Sequence, residues 1–260
     1  MYATNFFEDI ILKTMIGETY TPPQNGVYLA LFMSDPGDVG DGGYEANYTG
    51  YARQQINFSE PGTYNTGLAI ENLDLITFGE CPANYGLVTH VGVMTSALGG
   101  DMLLYGQLDT ALSLQQGVTP IFRPGSIRWI FTGNMSNYYR RKIMNIVRGI
   151  QCESFQPWLG FCNGNPEADG SEFTGYSYAR VSINFSQPAQ QENGADMVYN
   201  QEPITSPEST GNWGTLSYVA IYDAESNGHP FMIIPLGTAF AVTAQTSIGF
   251  NTGSLRVSIN

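Results

Sequence analysis

The sequence predicts a mainly β chain: two tandem antiparallel β-sandwich (or barrel-like) domains, each preceded by one short α-helix. Three observations support this class. A motif occurs twice, short apolar segments alternate with turn residues, and an amphipathic segment opens each repeat. At 260 residues the chain is long enough for two domains of ordinary size. We expect these domains to span residues 1–133 and 134–260.

The two domains are visible as an internal repeat. The segment YARQQINFSEP begins at Tyr51 and YARVSINFSQP begins at Tyr178, with eight of eleven positions identical at an offset of 127. Five colinear blocks keep the same order along the whole chain, at offsets between 127 and 132. This pattern indicates a tandem duplication. Two units are too few for a solenoid, so two globular domains are expected.

One helix is predicted at the start of each repeat. Apolar residues recur at helical spacing after Asn5 and after Asn137, and each run stops at a glycine, Gly17 or Gly149. We expect the two asparagines to cap these helices, with Glu8 completing a box-like pattern in the first one.

The rest of each repeat has the pattern of strands. Segments such as YLALFMS, LVTHVGVM and SIRWIFTG are short, apolar or alternating, and bounded by turn residues. Their regular spacing favours an antiparallel sandwich or barrel, and we expect six to eight strands per repeat.

The net charge of −13 argues against nucleic acid as a partner, because such a surface repels phosphates. Four of the ten basic residues nevertheless fall in one short stretch: Arg140, Arg141, Lys142 and Arg148. A solvated helix face is the simpler interpretation, and a docking site for an acidic neighbouring subunit is the alternative. Positive charge in the first helical turn opposes the helix dipole, which favours an external partner.

The cysteines, Cys81, Cys152 and Cys162, are odd in number and have unrelated spacings. Neither a disulfide framework nor a zinc site is indicated, so we expect buried free thiols and assembly in a reducing cytoplasm. The N-terminus lacks a signal-peptide pattern, and no apolar run approaches membrane-spanning length. We expect no membrane partner.

Catalytic motifs are missing from the sequence. His90 and His229 are not equivalent in the repeat, and no GxSxG, HExxH, Walker or dinucleotide motif occurs. Carboxylates are numerous, but a glycosidase pair depends on a separation that sequence does not give. We therefore predict no enzyme, no catalytic residues and no cofactor.

Acidic, Gly-rich loops are the best candidate for a metal site. Oxygen ligands on such loops suit calcium, although the EF-hand spacing is not met and solvated loops are the simpler interpretation. The candidates are Asp35, Asp38, Asp41 and Glu45 in the first repeat, and Asn165, Glu167, Asp169 and Glu172 in the second.

Several residues are retained in both repeats and are predicted to be a structural signature. They are Tyr51, Arg53, Phe58 and Arg128 in the first repeat, and Tyr178, Arg180, Phe185 and Arg256 in the second. An arginine inside a strand pattern could bind substrate. Because both repeats keep it beside core residues, we expect it to hold a carboxylate or turn carbonyls.

The repeat unit resembles small tailed-bacteriophage proteins described as tail-fibre-like or head-fibre-like. The resemblance lies in YLALFMSDP, the YARQ–INF strand, YGLVTHVGV, the GG–LLYG–L hairpin and the closing Phe…Gly…Ile strand, at residues 28–36, 51–58, 85–94, 99–108 and 122–130. The second repeat is recognisable mainly through the first. The resemblance implies a virion protein and transfers no catalytic residue.

The leading prediction is a non-enzymatic structural component of a tailed phage virion, acting through protein–protein contacts with capsid or tail proteins. It would decorate the capsid, or belong to the tail, collar or fibres, as a homo-oligomer. The alternative is a carbohydrate-binding, host-recognition module that uses exposed aromatic residues. The aromatic candidates are Tyr64, Tyr85, Tyr138, Tyr139, Trp158 and Trp213.

Overall fold

The computed structural model describes residues 1–65, 67–133, 135–190 and 196–259. They form two compact units. Unit 1 consists of Met1–Ile10, Thr21–Phe131 and Ile143–Cys152, and unit 2 consists of Ile11–Tyr20, Thr132–Lys142 and Glu153–Asn260.

The strands of the first repeat all belong to unit 1. Helix α1 (Asn5–Met15) follows the first strand. The strands are β1 (Tyr2–Ala3), β2 (Val27–Phe32), β3 (Gln54–Ile56), β4 (Gly62–Tyr64), β5 (Gly67–Glu71), β6 (Ile76–Thr77), β7 (Gly86–Met94), β8 (Met102–Leu114), β9 (Ile121–Phe122) and β10 (Arg128–Phe131). They form a five-stranded sheet in the order β1-β8-β7-β2-β3, a three-stranded sheet β10-β5-β4 and the pair β6-β9.

The second repeat follows the same plan. Helix α2 (Asn137–Val147) precedes its strands, which lie in unit 2. They are β11 (Trp158–Cys162), β12 (Val181–Ser182), β13 (Ala189–Gln190), β14 (Asp196–Tyr199), β15 (Ile204–Thr205), β16 (Gly214–Tyr222), β17 (Pro230–Val242), β18 (Gly249–Phe250) and β19 (Arg256–Ile259). Their sheets are β12-β11-β16-β17, β13-β14-β19 and β15-β18.

The predicted fold class is confirmed. Every strand pairing is antiparallel among the described residues, and one helix accompanies each set of strands. The described strands number ten and nine per repeat, more than the predicted six to eight. The additional ones, such as β6 and β9, have two or three residues, too few for alternation to reveal them.

The predicted helix caps are wrong by one residue. Thr4 caps α1, because its Oγ1 accepts the Phe7 N–H at 3.4 Å. Ser136 caps α2 in the same way, with its Oγ 3.0 Å from the Tyr139 nitrogen. Asn5 and Asn137 are instead the first helical residues.

The predicted glycine stops are confirmed. Gly17 and Gly149 have φ of 94° and 83°, a left-handed conformation that glycine adopts without strain. Beyond Gly17, the Glu18 N–H donates to the Lys13 carbonyl at 2.9 Å, which closes the helix end.

The first part of each helix packs, through an aromatic residue, against strands of the unit that contains that part. In unit 1 the Phe7 ring contacts Trp129 of β10 at 5.7 Å. In unit 2 the fully buried Tyr139 contacts Phe231 of β17 at 5.2 Å. The described part of the chain contains no helix that is both long and apolar enough to cross a membrane.

Candidate functional site

A buried cluster of Glu45, Tyr51 and Arg53 links three segments of unit 1. Arg53 Nε and Nη2 donate to the two oxygens of Glu45 at 2.8 and 2.7 Å. Arg53 Nη1 donates to the carbonyls of Ser96 and Gly99, at 2.9 and 2.5 Å, in the turn between β7 and β8. Tyr51 Oη donates to Glu45 Oε1 at 2.8 Å and accepts the N–H of β2 residue Leu31 at 3.1 Å.

Unit 2 contains the same cluster, made of Glu172, Tyr178 and Arg180. Arg180 Nε and Nη2 bind Glu172 at 2.8 and 2.7 Å, and Nη1 binds the carbonyls of Ala224 and Asn227 at 2.6 and 2.7 Å. Tyr178 Oη donates to Glu172 at 2.5 Å. The Arg180 guanidinium also lies 3.5 Å from the centre of the Tyr222 ring.

These clusters fasten a loop and a turn to the sheet. Each guanidinium makes a bidentate pair and two further hydrogen bonds, so four of its five N–H donors are used inside the unit. The Arg53 and Arg180 side chains are only 10% and 6% exposed. Burial raises the pKa of Tyr51 and Tyr178, so both phenols stay protonated. Such an arrangement stabilises the fold and has little capacity left to bind a substrate anion.

A second structural pair, Asn72 and Asn200, was missed by sequence reasoning. Asn200 is fully buried; its Nδ2 donates to the carbonyls of Glu202 and Asn251 at 2.7 and 2.9 Å, and its Oδ1 accepts the Leu255 N–H at 2.9 Å. Asn72 makes the three equivalent bonds in unit 1. The two asparagines are identical residues at an offset of 128, within the range of the other repeated residues. Comparison of the two repeats could therefore have identified them.

Arg128 and Arg256 differ in what they hold. Arg128 donates to Glu71 Oε2 from Nη2 and Nε, at 2.7 and 3.1 Å, and lies over the Tyr64 ring. In unit 2 the residue opposite the arginine is Tyr199, and Arg256 Nε donates to the Gly253 carbonyl at 2.6 Å. Phe58 and Phe185 are buried in both units.

The first acidic loop does not gather its carboxylates around one point. Asp35 Oδ1 accepts the Gly37 N–H at 2.9 Å, the Asp38 carbonyl accepts the N–H of Asn5 at 3.0 Å, and Glu45 is bound to Arg53. Burial raises the pKa of Asp38. Across the described residues, no group of three or more His, Cys, Asp or Glu side chains could hold a metal ion.

The second acidic loop meets the start of α2. The two oxygens of Glu167 accept the Asn137 N–H at 2.9 and 3.1 Å. A carboxylate at this end of a helix is favourable, and it offsets the positive charge of the first turn.

The basic stretch does not form one exposed cationic face. Arg140 is buried, whereas Arg141 is exposed. Lys142 Nζ lies 4.0 Å from Asp223 and 4.9 Å from the centre of the Tyr138 ring. Arg148, after α2, binds Glu60 and donates to Asn145 Oδ1 at 2.6 Å within unit 1. Binding of an acidic partner by this stretch stays a prediction, and Arg141 is its most accessible member.

The histidines do not form a hydrolytic triad. His90 Nδ1 lies 2.9 Å from the Thr89 hydroxyl, and Nε2 lies 4.0 Å from Asp35. That second distance is beyond hydrogen-bond reach, and the Asp35 side chain is 65% exposed. His229 lies in the turn before β17, where the centre of its ring is 4.2 Å from that of Tyr138 and the two ring planes are inclined by 32°.

An open cleft lies in each unit. The cleft of unit 1 has a volume of 660 Å³, and polar side chains dominate its lining, including Gln24, Asn25, Gln55 and Arg148. The cleft of unit 2, of 470 Å³, lies over the Arg180 cluster.

The two repeats expose different apolar residues: mainly leucines and isoleucines in the first, and mainly aromatic residues, Tyr176, Tyr199 and Phe240, in the second. Six leucine and isoleucine side chains of the first repeat are 41–88% exposed, and the repeat places smaller or polar residues at every equivalent position of the second. The pairs are Leu73 and Gln201, Leu75 and Pro203, Leu87 and Thr215, Leu98 and Ser226, Ile121 and Gly249, and Ile130 and Ser258. We call these six side chains the aliphatic surface, after their shared chemistry; they lie in the β5–β6 and β7–β8 connections and in strands β7, β9 and β10. The strand pairing β6–β9 and its counterpart β15–β18 support the alignment.

The duplication is also found when the sequence is compared with known families. The family model of the podophage GP4 fiber I protein gp80 matches residues 2–129 and again residues 134–258. The chain belongs to this family. It is therefore a structural component of a phage virion, of the fibre class. No curated protein sequence matches the chain significantly.

Membership in a fibre family agrees with the scaffold character of the repeated residues. Of the six aromatic residues considered for glycan binding, Tyr139 and Trp213 are buried. The other four are partly exposed, and none of the six lines the larger cleft. That cleft contains a different aromatic residue, Tyr28.

Proposed function

We propose that the protein is a non-enzymatic fibre component that attaches to another virion protein through the aliphatic surface of the first repeat. The observation that carries this proposal is the contrast between the repeats. Both repeats share one fold, so exposed leucines and isoleucines are not required by it at these positions. An exposed apolar side chain that the fold does not require is a candidate contact residue, and the contrast between the repeats points to these six.

The energy available from this surface is sufficient for attachment. Burying a fully exposed leucine or isoleucine contributes about 1.5–3 kcal/mol. Leu98 is 88% exposed and the other five are roughly half exposed. Together they would contribute about 5–10 kcal/mol before the entropy of association is subtracted.

The virion setting suggests further properties of the same proposal. We infer assembly in the host cytoplasm, since all three cysteines are free and buried and so need no oxidising compartment. We also infer a homo-oligomer, as closed symmetric assemblies are the common form of such proteins. The family supports a place among the fibre proteins. The tail and the collar are alternative locations, and decoration of the capsid is the competing one.

The test replaces aliphatic residues with those that the second repeat uses. The triple variant Leu73→Gln, Leu87→Thr, Leu98→Ser should keep the wild-type unfolding temperature, because the fold already tolerates these residues. Binding is measured by co-sedimentation of the purified protein with phage particles that lack it. We expect the affinity to fall by about a hundredfold or more.

The matched control places the aliphatic residues on the second repeat. The variant Gln201→Leu, Thr215→Leu, Ser226→Leu should bind particles like the wild type. Undiminished binding by the first triple variant would refute attachment through the aliphatic surface. If both triple variants lost particle binding equally, the contrast between the repeats would not explain attachment.

A second candidate function, carbohydrate binding, is favoured by one observation. The 660 Å³ cleft of unit 1 combines amide side chains with the ring of Tyr28, and both groups suit neutral sugars. A glycan array should then give binding that Gln55→Ala and Tyr28→Ala abolish. Absence of any glycan signal from the wild-type protein would eliminate this candidate.

A further inference from the structure

Strands β6 and β9 form a two-stranded ribbon with one open face in unit 1. Ile76 pairs with Phe122, and Thr77 pairs with Ile121. Ile76 and Phe122 are buried, with 4% and 8% of their surfaces exposed. Because side chains alternate along a strand, the neighbours of these two residues point the other way. They are all exposed and we call them the ribbon face: Leu75, Thr77, Ile121 and Arg123.

The two segments stay side by side just beyond the paired residues. The Asn72 side-chain nitrogen donates to the Asp74 carbonyl at 2.8 Å and to the Arg123 carbonyl at 2.9 Å. This amide holds the two backbones together, and the same antiparallel register then places Leu75 beside Arg123. The ribbon face therefore combines two aliphatic side chains with a guanidinium.

The Arg123 guanidinium differs from the other basic groups of the protein. Within the part of the chain that the structure describes, Arg123 is the single Lys or Arg side chain that has no interaction partner. Its side chain is exposed, next to exposed aliphatic residues. In a chain of net charge −13, this unpaired cation is a point at which an acidic group is attracted.

The second repeat shows that the fold does not require this side chain. Asn251 occupies the equivalent position, and its carbonyl accepts the Asn200 Nδ2 at 2.9 Å and the Ser254 hydroxyl at 2.7 Å. The Arg123 carbonyl makes the same two bonds in unit 1. The cation and both aliphatic side chains are features of the first repeat alone, because the other positions in unit 2 hold Pro203, Thr205 and Gly249.

We propose that the ribbon face binds a segment of another virion protein that presents a carboxylate beside apolar side chains. The inference rests on the proposed function, since Leu75 and Ile121 belong to the aliphatic surface, and it names the chemistry of the partner. Leu75 and Ile121, 56% and 48% exposed, pack against the apolar residues of that segment. Arg123 forms a bidentate pair with its carboxylate.

Charge and side-chain type identify this partner. Arginine is enriched at protein interfaces, because its weakly hydrated, planar guanidinium pairs with a carboxylate while its stem covers apolar surface. A sugar acid fits less well. Small-molecule sites are concave, whereas no residue of the ribbon face lines either cleft. A protein segment can lie across an open face that a small ligand would not fill.

The decisive variant is Arg123→Asn, which gives the first repeat the residue of the second. Only the backbone carbonyl of this residue is bound within the unit, so the unfolding temperature should not change. In co-sedimentation with phage particles that lack the protein, the affinity should fall at least about tenfold. Added salt should weaken binding of the wild type more than binding of the variant, because the ion pair is screened.

The matched control is Asn251→Asp at the equivalent position of unit 2. It lowers the net charge by one, as Arg123→Asn does, and keeps the size of the side chain. Its binding to particles should equal that of the wild type.

A zero-length crosslink identifies the group that the arginine meets. Arg123→Lys keeps the positive charge, and a carbodiimide then joins the new amine to a carboxylate in contact with it through an amide bond. The crosslinked peptide should combine residue 123 with an aspartate or glutamate of a particle protein. Asn251→Lys should give no such product.

Unchanged particle binding by Arg123→Asn, or an equal loss by Asn251→Asp, overturns the proposal. So does binding to acidic glycans on an array that Arg123→Asn abolishes while particle binding persists. Failure of the proposed function is read separately. If the leucine triple variant loses particle binding and Arg123→Asn does not, attachment through the aliphatic surface holds and the ribbon face is refuted. If Arg123→Asn alone loses binding, the acidic partner holds and attachment through the wider aliphatic surface is refuted.

Discussion

Removal of the Arg180 guanidinium is the most informative perturbation of the fold. In Arg180→Met the side chain keeps much of its aliphatic length but loses four hydrogen bonds and the contact with the Tyr222 ring. The Glu172 carboxylate, 20% exposed, is left with Tyr178 as its hydrogen-bond donor from the cluster. Breaking a buried ion pair by removing one partner costs about 3–5 kcal/mol of unfolding free energy.

Arg53→Met is the matched comparison. Arg53 makes the same bidentate pair and the same two carbonyl bonds, but the residue that corresponds to Tyr222 is Met94. A cation over an aromatic ring adds about 1 kcal/mol. We therefore expect Arg180→Met to destabilise its unit by about 1 kcal/mol more than Arg53→Met destabilises the other.

Urea unfolding monitored by tryptophan fluorescence measures both variants. Trp158 and Trp213 report on unit 2, and Trp129 reports on unit 1. The reasoning is refuted if Arg180→Met loses less than about 1 kcal/mol, the value expected of an exposed ion pair. It is also refuted if Arg53→Met proves the more damaging of the two.

Three further predictions concern other groups of the core. Asn200→Ala, and Asn72→Ala in unit 1, should each lower the free energy of unfolding by about 3 kcal/mol, because three buried hydrogen bonds are lost at about 1 kcal/mol each. A decrease below about 1 kcal/mol in urea unfolding would contradict this. The raised pKa values of Tyr51 and Tyr178 keep both phenols protonated in the folded state, whereas in the unfolded chain they ionise near pH 10. Their contribution to folding stability is therefore present below about pH 10 and is lost as the pH rises further. These two phenols together should lower the unfolding free energy by about 3 kcal/mol per pH unit above that point, and Tyr178→Phe should remove about half of this contribution. Tyr48 and Tyr222, whose pKa values burial also raises, add to the fall, and a flat profile would argue against the reasoning. All three cysteines are buried, and burial raises the pKa of Cys162 to about 11. A thiol reagent at neutral pH should therefore modify none of them in the folded protein, because it cannot reach them, and all three after unfolding; labelling of the native protein would oppose this.

The sequence predicted the fold well because the duplication acts as an internal comparison. Arg53 and Arg180, identical in both repeats, make the same contacts in both units. Arg128 and Arg256 are the exception, because the glutamate that Arg128 binds is a tyrosine in the second repeat. The acidic partners could have been found by the same means. Glu45 and Glu172 each precede their arginine by the same interval, but their place in acidic loops suggested calcium instead.

The helix caps show what local sequence cannot decide. Thr4 and Asn5 are both good capping residues, and so are Ser136 and Asn137. The choice is made by strand pairing, since the Thr4 N–H donates to the Leu103 carbonyl and the Ser136 N–H to the Phe231 carbonyl. These bonds hold the earlier residue in an extended conformation, so the helix can begin only after it.

The sequence by itself determined the duplication, the class of fold and the polar residues that both repeats retain, because hydrophobic periodicity and turn residues act locally. Which surfaces stay exposed was decided only by the tertiary structure. Leu98 and Leu103 differ little as residues of a hairpin, yet one is 88% exposed and the other is fully buried. The reason is that exposure depends on which distant segments cover a residue. The aliphatic surface could therefore not be recognised before the sheets were assembled.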